Sequence, residues 1–332
     1  MSALKKIYLS VTTMLLLVMV FGTVTYAWIS LATINNLDGL SLSASTGEEL
    51  QISLDGINYA STIPTQELLQ WTEDISLYDV TTHDGINFYT GGRREQGEAI
   101  PNKHYLSIEL YFQTTAPEKD IYLVNNTSKI ARYDSNIQGT YVVSRGVQWR
   151  AKHTFQYGPN ESDIVLKDEV RTYYASDAVR LGFTELINEL NVLDVRDETT
   201  LKKLIFDPTE DETMSVGKDY GSTAYFLINA GTYLPFPEDL PEITYRLTEI
   251  NPKNPYEALD GASHIATLQP TGTYASNGRE VYQGKVLINI WIEGWDANTF
   301  DPIGDDRIKI QLEFKALKKA YEWIQITKSY WR

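Results

Sequence analysis

Lys285-Val-Leu-Ile-Asn-Ile-Trp-Ile292 and Arg307-Ile-Lys-Ile-Gln-Leu-Glu-Phe314 carry the strongest β signal in the chain. In the second, Ile308, Ile310, Leu312 and Phe314 alternate with Lys309, Gln311 and Glu313, which gives a strand one buried face and one wet face. The first is apolar at most of its positions, with Val286, Leu287, Ile288, Ile290, Trp291 and Ile292. The two stretches are expected to pair antiparallel near the centre of a sheet, joined through Glu293-Gly-Trp-Asp296 and a loop.

Outward from this pair the same pattern recurs in shorter pieces. Leu40-Ser-Leu-Ser-Ala44 and Leu50-Gln-Ile-Ser-Leu54 alternate apolar and polar residues, and Asp55-Gly56 follows as a turn signal. Residues 105–112 and 120–124 form the next pair of strands, residues 139–147 and 178–183 continue the series, and Lys203-Leu-Ile-Phe206 ends at Asp207-Pro208. Thr184 to Leu193 reads as a short helix, because Leu186, Ile187, Leu190 and Leu193 fall at helical spacing. Residues 207–277, rich in Pro, Gly and acidic side chains, read as an insertion with strands only at 224–228 and 243–247. Many short strands with Gly, Pro and Asp turns and almost no helix predict a mainly β protein, an antiparallel β-sandwich of jelly-roll type spanning residues 35–315.

What precedes this region determines where it works. Ile7 to Leu31 contains no charged residue; Lys5 and Lys6 come before it and Asp38 is the next charge after it. Such a run exceeds the roughly 20 residues that cross a hydrocarbon core of about 30 Å. The positive-inside bias then puts a stub of residues in the cytoplasm and the C-terminal domain outside, so that residues 1–34 are a single-pass transmembrane helix. The stretch also fits a signal peptide, with Thr25-Tyr26-Ala27 as the cleavage site and a secreted product. Both fates expect the domain at or beyond the cell membrane.

Composition narrows the partners. A formal net charge of −15 opposes nucleic-acid binding and suits a self-repelling exterior domain. The chain has no cysteine, which removes disulfides, thiolate catalysis and zinc-thiolate sites, and points for an exported protein to a bacterial, particularly Gram-positive, surface. Residues 316–332 are basic and aromatic at the end of an acidic protein. The β-branched alternation of Trp323 to Thr327 suggests an added strand, docked either on its own sheet or across to a neighbouring subunit.

The end of the apolar segment, Gly22-Thr-Val-Thr-Tyr-Ala-Trp-Ile-Ser30, resembles the ending of signal segments in SipW-dependent surface proteins of Gram-positive bacteria. Residues 50–56, 178–183 and Ile290-Trp-Ile-Glu-Gly-Trp-Asp296 look like segments of extracellular β-sandwich proteins related at a distance to the TasA and camelysin group. The resemblance implies an exported surface or biofilm-matrix protein that acts by binding or by assembly into fibres. The present chain departs from the simplest members by its insertion and by its continuation past residue 315.

Camelysin is classed as a metallopeptidase, so the resemblance also raises zinc. His83, His104, His153 and His264 are the only histidines, and no His-Glu-x-x-His pair occurs among them. Gly-x-Ser-x-Gly is missing, and Glu48-Glu49, Glu210-Asp-Glu212 and Asp305-Asp306 sit where solvated turns are expected. A non-catalytic protein without a cofactor is therefore expected. The one metal candidate is Asp296, Asn298 and Asp301, whose closely spaced oxygens suit calcium, although a turn built on Asx hydrogen bonds uses the same residues. Trp71, Trp149, Trp291 and Trp295 raise a second function, a membrane-anchored module that binds carbohydrate or cell wall.

Overall fold

The structure is a computed structural model that describes Lys5 and residues 12–14, 34–45, 50–64, 66–68, 75–91, 97–134, 136–237 and 240–319. Its first strands are β1 (Ile34–Ala44), β2 (Gln51–Ser53), β3 (Thr62–Ile63), β4 (Ser76–Thr82), β5 (Phe88–Thr90) and β6 (Gly97–Glu98). There follow β7 (Leu106–Thr114), β8 (Lys119–Leu123), β9 (Tyr141–Ser144), β10 (Val147–Arg150), β11 (Phe155–Gln156), β12 (Ile164–Val165) and β13 (Val170–Tyr173). The last are β14 (Val179–Leu186), β15 (Lys203–Phe206), β16 (His264–Thr267), β17 (Gln269–Tyr274), β18 (Glu280–Glu293) and β19 (Arg307–Lys318). A helix, α1 (Ser222–Ala230), lies between β15 and β16.

The protein is mainly β, and most strands join one large mixed sheet whose spine runs β15-β14-β18-β4-β1-β19-β8-β16. The two strongest strands do not pair with each other, contrary to expectation. β18 lies between β14 and β7, antiparallel to both, and β19 lies between β1 on one side and β9 and β8 on the other. Tight hairpins use loops of about 2–5 residues, whereas residues 294–306 form a longer connection with its own 3₁₀ turn at Asp301–Ile303. That length lets the chain cross from one half of the sheet to the other.

The sheet is also not purely antiparallel, since β1 runs parallel to β19 and β18 runs parallel to β4. β4 is the seam, pairing with β1 through Ser76–Tyr78 and with β18 through Asp79 and Val80. The halves meet through their side chains. Phe314 of β19 packs edge-on against Phe112 of β7 at 5.2 Å and against Phe183 of β14 at 6.4 Å. Leu312 and Phe314 are fully buried with Leu40 and Leu42 of β1, so the alternation in β19 does point its apolar set inward.

Three local expectations are corrected. Residues 184–193 are not a helix: Thr184 to Leu186 finish β14, and Leu190 and Leu193 stay exposed. Asn188 and Asn191 accept from the backbone of Leu190 and Leu193, and Asp194 accepts from that of Asn188; these side chains compete with helical hydrogen bonding. Residues 224–228 form not a strand but the middle of α1, bounded by Gly221 and Gly231 at positive φ. Residues 243–247 form no strand; Thr244 makes a bridge to Phe206, and Ile243 and Leu247 pack against the core. Within 207–277 it is residues 264–274 that return to the sheet, as β16 on β8 and β17 on β18.

β19 runs on to Lys318, past the expected boundary at 315, and pairs with β8 through residues 314–318. Residues 320–332 lie outside the described residues, as do most of Ile7 to Leu31 and the loop 92–96 between β5 and β6. Among the described residues no helix is long and apolar enough to cross a membrane.

Because Phe314 bridges the halves, Phe314→Ala is expected to destabilise the protein by about 3–5 kcal/mol, the range for removing a buried aromatic ring. Chemical denaturation measures it. A loss below about 1 kcal/mol would mean that the halves do not depend on this contact.

Candidate functional site

Arg180 in β14 is completely buried, and the groups around it come from segments far apart in sequence. Asp207 follows β15 directly and places its carboxylate 2.9 Å from the Arg180 guanidinium. Asp296, in the turn after β18, makes a second and shorter ion pair with the same Nη2. Arg180 also donates to Ser215 Oγ at 2.8 Å and to the carbonyl of Val179 at 2.9 Å, and Tyr245 donates to Ser215 at 3.0 Å. Burial opposes the charge on Arg180, but Asp207, Asp296 and Glu293 outweigh it and hold the guanidinium protonated.

Glu293 continues this buried polar seam. It accepts hydrogen bonds from Trp291 Nε1, from Thr81 Oγ1 and from the Trp295 backbone, at 2.9, 2.9 and 3.1 Å, and burial raises its pKa against these donors. Trp291 is fully buried and edge-on to Phe88 at 5.0 Å. Gly182 makes room for it, because a Cβ there would stand 2.9 Å from the indole. Trp295 is buried as well, Trp149 packs against Tyr173, Tyr225 and Phe300, and Trp71 lies outside the described residues. Trp149, Trp291 and Trp295 therefore serve packing, and none of them presents an open platform.

The calcium candidates share a loop but face different protein groups. Asp296 pairs with Arg180 and accepts the Asn298 backbone N–H at 2.8 Å, an Asx turn. Asn298 accepts from Tyr157 OH at 2.9 Å and donates to the Met214 carbonyl at 3.1 Å. Asp301 accepts from Tyr225 OH at 2.8 Å, with Lys152 3.7 Å away. Among the described residues no group of three or more His, Asp or Glu side chains stands together as a metal site. His264 lies 3.5 Å from Asp120 and 3.3 Å from Thr267 Oγ1, but both contacts use the same ring nitrogen, unlike the relay of a hydrolase triad.

The paired carboxylates divide in role. Asp306 is buried and accepts from the backbone N–H groups of Gly146, Ala175 and Arg307, at 2.9, 2.9 and 2.8 Å, fixing the entry to β19. Asp211 caps a 3₁₀ turn through Thr213, Glu210 pairs with Lys129 at 3.0 Å, and Glu48 and Glu49 lie outside the described residues.

Beside the Arg180 centre opens a cleft of about 760 Å³, and Asn298 belongs to both. Its walls include Tyr133, Tyr157, Tyr174, Ser144, Ser176 and Asp177. Asp177 is the notable group. It sits in a short 3₁₀ turn, and no described residue donates a hydrogen bond to its carboxyl. Burial, reinforced by the negative charges of Asp207, Asp306 and Asp211, raises it to about 7, against the partial relief from Arg180. A carboxyl in this state serves a ligand hydroxyl as donor or acceptor. Sequence reading missed it because Asp177 stands alone among small residues, and its neighbours arrive only through folding.

Compared with known protein families, curated proteins and solved structures, the chain matches none.

An aspartate in an unfolded chain titrates near ~3.9, and Asp177 does so at about 7 when folded. Between those values the folded state holds the extra proton, so this group costs stability progressively as pH rises through the window, and the cost is complete above it. Asp177→Asn cannot ionise. It is expected to raise Tm relative to the unaltered protein at about pH 8 and to leave it nearly unchanged at about pH 4. Equal shifts at both would mean that Asp177 does not titrate in this window.

Proposed function

We propose that the chain is a non-catalytic protein of a bacterial cell surface or extracellular matrix, exported or held by its N-terminal apolar segment and acting by binding or assembly. The observation that carries this reading is continuity. The charge-free run from Ile7 to Leu31 leads within three residues into β1, which lies inside the sheet between β4 and β19. Only Ala32 and Thr33 stand between that run and the strand, so a tether there would join the membrane almost directly to the interior of the sheet. In this reading the halves of the sheet are the leaves of a sandwich of jelly-roll type, with the Phe112 and Phe314 rings between them. The likeness of Gly22 to Ser30 to the signal segments of SipW-dependent proteins supports the same destination.

The cleft beside Asp177 favours a second reading, a membrane-anchored module that binds carbohydrate or cell wall. Tyrosine rings with polar tips and a partly protonated carboxyl are the groups that recognise sugar hydroxyls, which need both donors and acceptors. The buried tryptophans take no part in it.

Fractionation of the source cells tests the location. The protein is expected in the membrane or the extracellular fraction, with the domain accessible to added protease on intact cells. Recovery in the cytosol, protected from protease, would overturn the cell-surface reading. Electron microscopy and a pull-down on purified cell wall separate the two modes: filaments support assembly, and wall retention that Tyr174→Ala weakens supports the cleft.

A further inference from the structure

We propose that the parallel pairing of β1 with β19 is a mechanical clamp, which carries tension through the domain between its membrane side and whatever holds its far side. The tension itself rests on the cell-surface reading above; the geometry of the clamp does not.

Eight partner pairs join the two strands, from Asn36 with Arg307 at one end to Ala44 with Phe314 at the other. They are the first and the last strands of the described residues. Since they run parallel, the chain enters β1 at one end of the ladder and leaves β19 at the opposite end. Pulling these two points apart slides one strand along the other, so all the pairs bear load together. An antiparallel pairing of the same strands would put entry and exit at one end, and the pairs would open one after another.

Several features oppose sliding. Leu37, Leu40 and Leu42 of β1 share the buried core with Ile308, Ile310, Leu312 and Phe314 of β19. A slip by one residue would turn these side chains to the wrong face, so the next compatible register lies two residues on, roughly 7 Å away. The register is interrupted between Leu37 and Gly39, and such a bulge keys one strand to the other. Both ends are latched by further hydrogen bonds. Asn36 N donates to the Asp306 carbonyl at 3.0 Å, Asp306 N donates to Asn35 Oδ1 at 3.1 Å, and Ser45 N donates to the Phe314 carbonyl at 2.7 Å.

The clamp is also held from both sides. β1 pairs on its other edge with β4 and β3, while β19 pairs on its other edge with β9 and then with β8. Neither strand can peel away at a free edge. The end of β19 that would receive the load, residues 314–318, is bonded to β8 and loads that ladder along its axis too.

Single-molecule force spectroscopy on the full chain tests this directly. The protein has no cysteine, so two introduced thiols are the only attachment points. Asn36, Arg307 and Lys318 are exposed. Asn36→Cys with Lys318→Cys loads the pair in shear, and Asn36→Cys with Arg307→Cys pulls it open from one end. At equal loading rate the shear pair is expected to unfold at roughly threefold higher force or more, because forced unfolding reports the barrier along the loaded direction. Equal or lower force in shear would overturn the proposal. A second shear pair, Asn36→Cys with Lys319→Cys just past the end of β19, repeats the geometry without altering β19, and a low force there would overturn it as well. A cytosolic protein with high shear force would overturn only the cell-surface reading, whereas a surface protein with low shear force would overturn only the clamp.

Discussion

The fully buried guanidinium of Arg180 organises the part of the molecule that the sheet alone does not. Arg180 brings its charge into the interior from β14, a strand paired on both sides, where an unpaired guanidinium would cost many kcal/mol. Asp207 and Asp296 must therefore stay beside it, and each anchors a stretch of irregular chain. Asp207 fixes the point where the chain leaves β15, and Asp296 fixes the turn after β18. Ser215 and Tyr245 extend the hold into the long excursion between β15 and β16. Two carboxylates against one guanidinium leave excess negative charge, and the interior answers by raising Asp296 to about 7, burial being the main cause. That same excess is one reason that nearby Asp177 holds its proton.

The cleft follows from this arrangement. Asn298, two residues beyond Asp296, turns on the Asp296 carboxylate and reaches both Tyr157 and Met214. Gly221 lets the start of α1 approach this turn, because a Cβ there would lie 2.3 Å from the Ala297 carbonyl. Part of the cleft lining is thus built by groups whose positions depend on Arg180, while Lys129 and Glu210, also on the lining, are joined by an exposed ion pair of little energy, with Asn126 holding Glu210 as well. The sheet itself rests on other contacts, with Phe314 between its halves and β1 locked to β19.

Much of the framework was legible in the sequence, and the failures have physical causes. Residues 203–206 and 307–314 read as strands because alternation or an apolar run met a clear stop, and the structure has strands there. The partners of β18 and β19 were not legible, since periodicity reports which face is buried and says nothing of which neighbour buries it. Residues 184–193 carried helical spacing by coincidence, and the Asn and Asp side chains that defeat it act through local hydrogen bonds that hydrophobic patterning does not register. Residues 224–228 looked like a strand because α1 is apolar nearly all round. At the site, Asp296, Asn298 and Asp301 were rightly read as neighbours in one loop. Their engagement with Arg180, Tyr157 and Tyr225 depends on segments 116, 141 and 76 residues away along the chain. Nothing in the local sequence marks Arg180 as buried, since an arginine between Val179 and Leu181 reads equally well as the wet position of a strand.

The dependence on Arg180 is open to a direct measurement, chemical denaturation of Arg180→Met beside the triple variant Arg180→Met, Asp207→Leu, Asp296→Leu. Removing the cation alone strands two buried carboxylates and is predicted to cost about 3–5 kcal/mol, whereas removing all three charges together replaces the centre with apolar packing and is predicted to restore most of that loss. If Arg180→Met by itself unfolds within about 1 kcal/mol of the unaltered protein, the carboxylates do not need their partner, and the account of the buried centre is wrong.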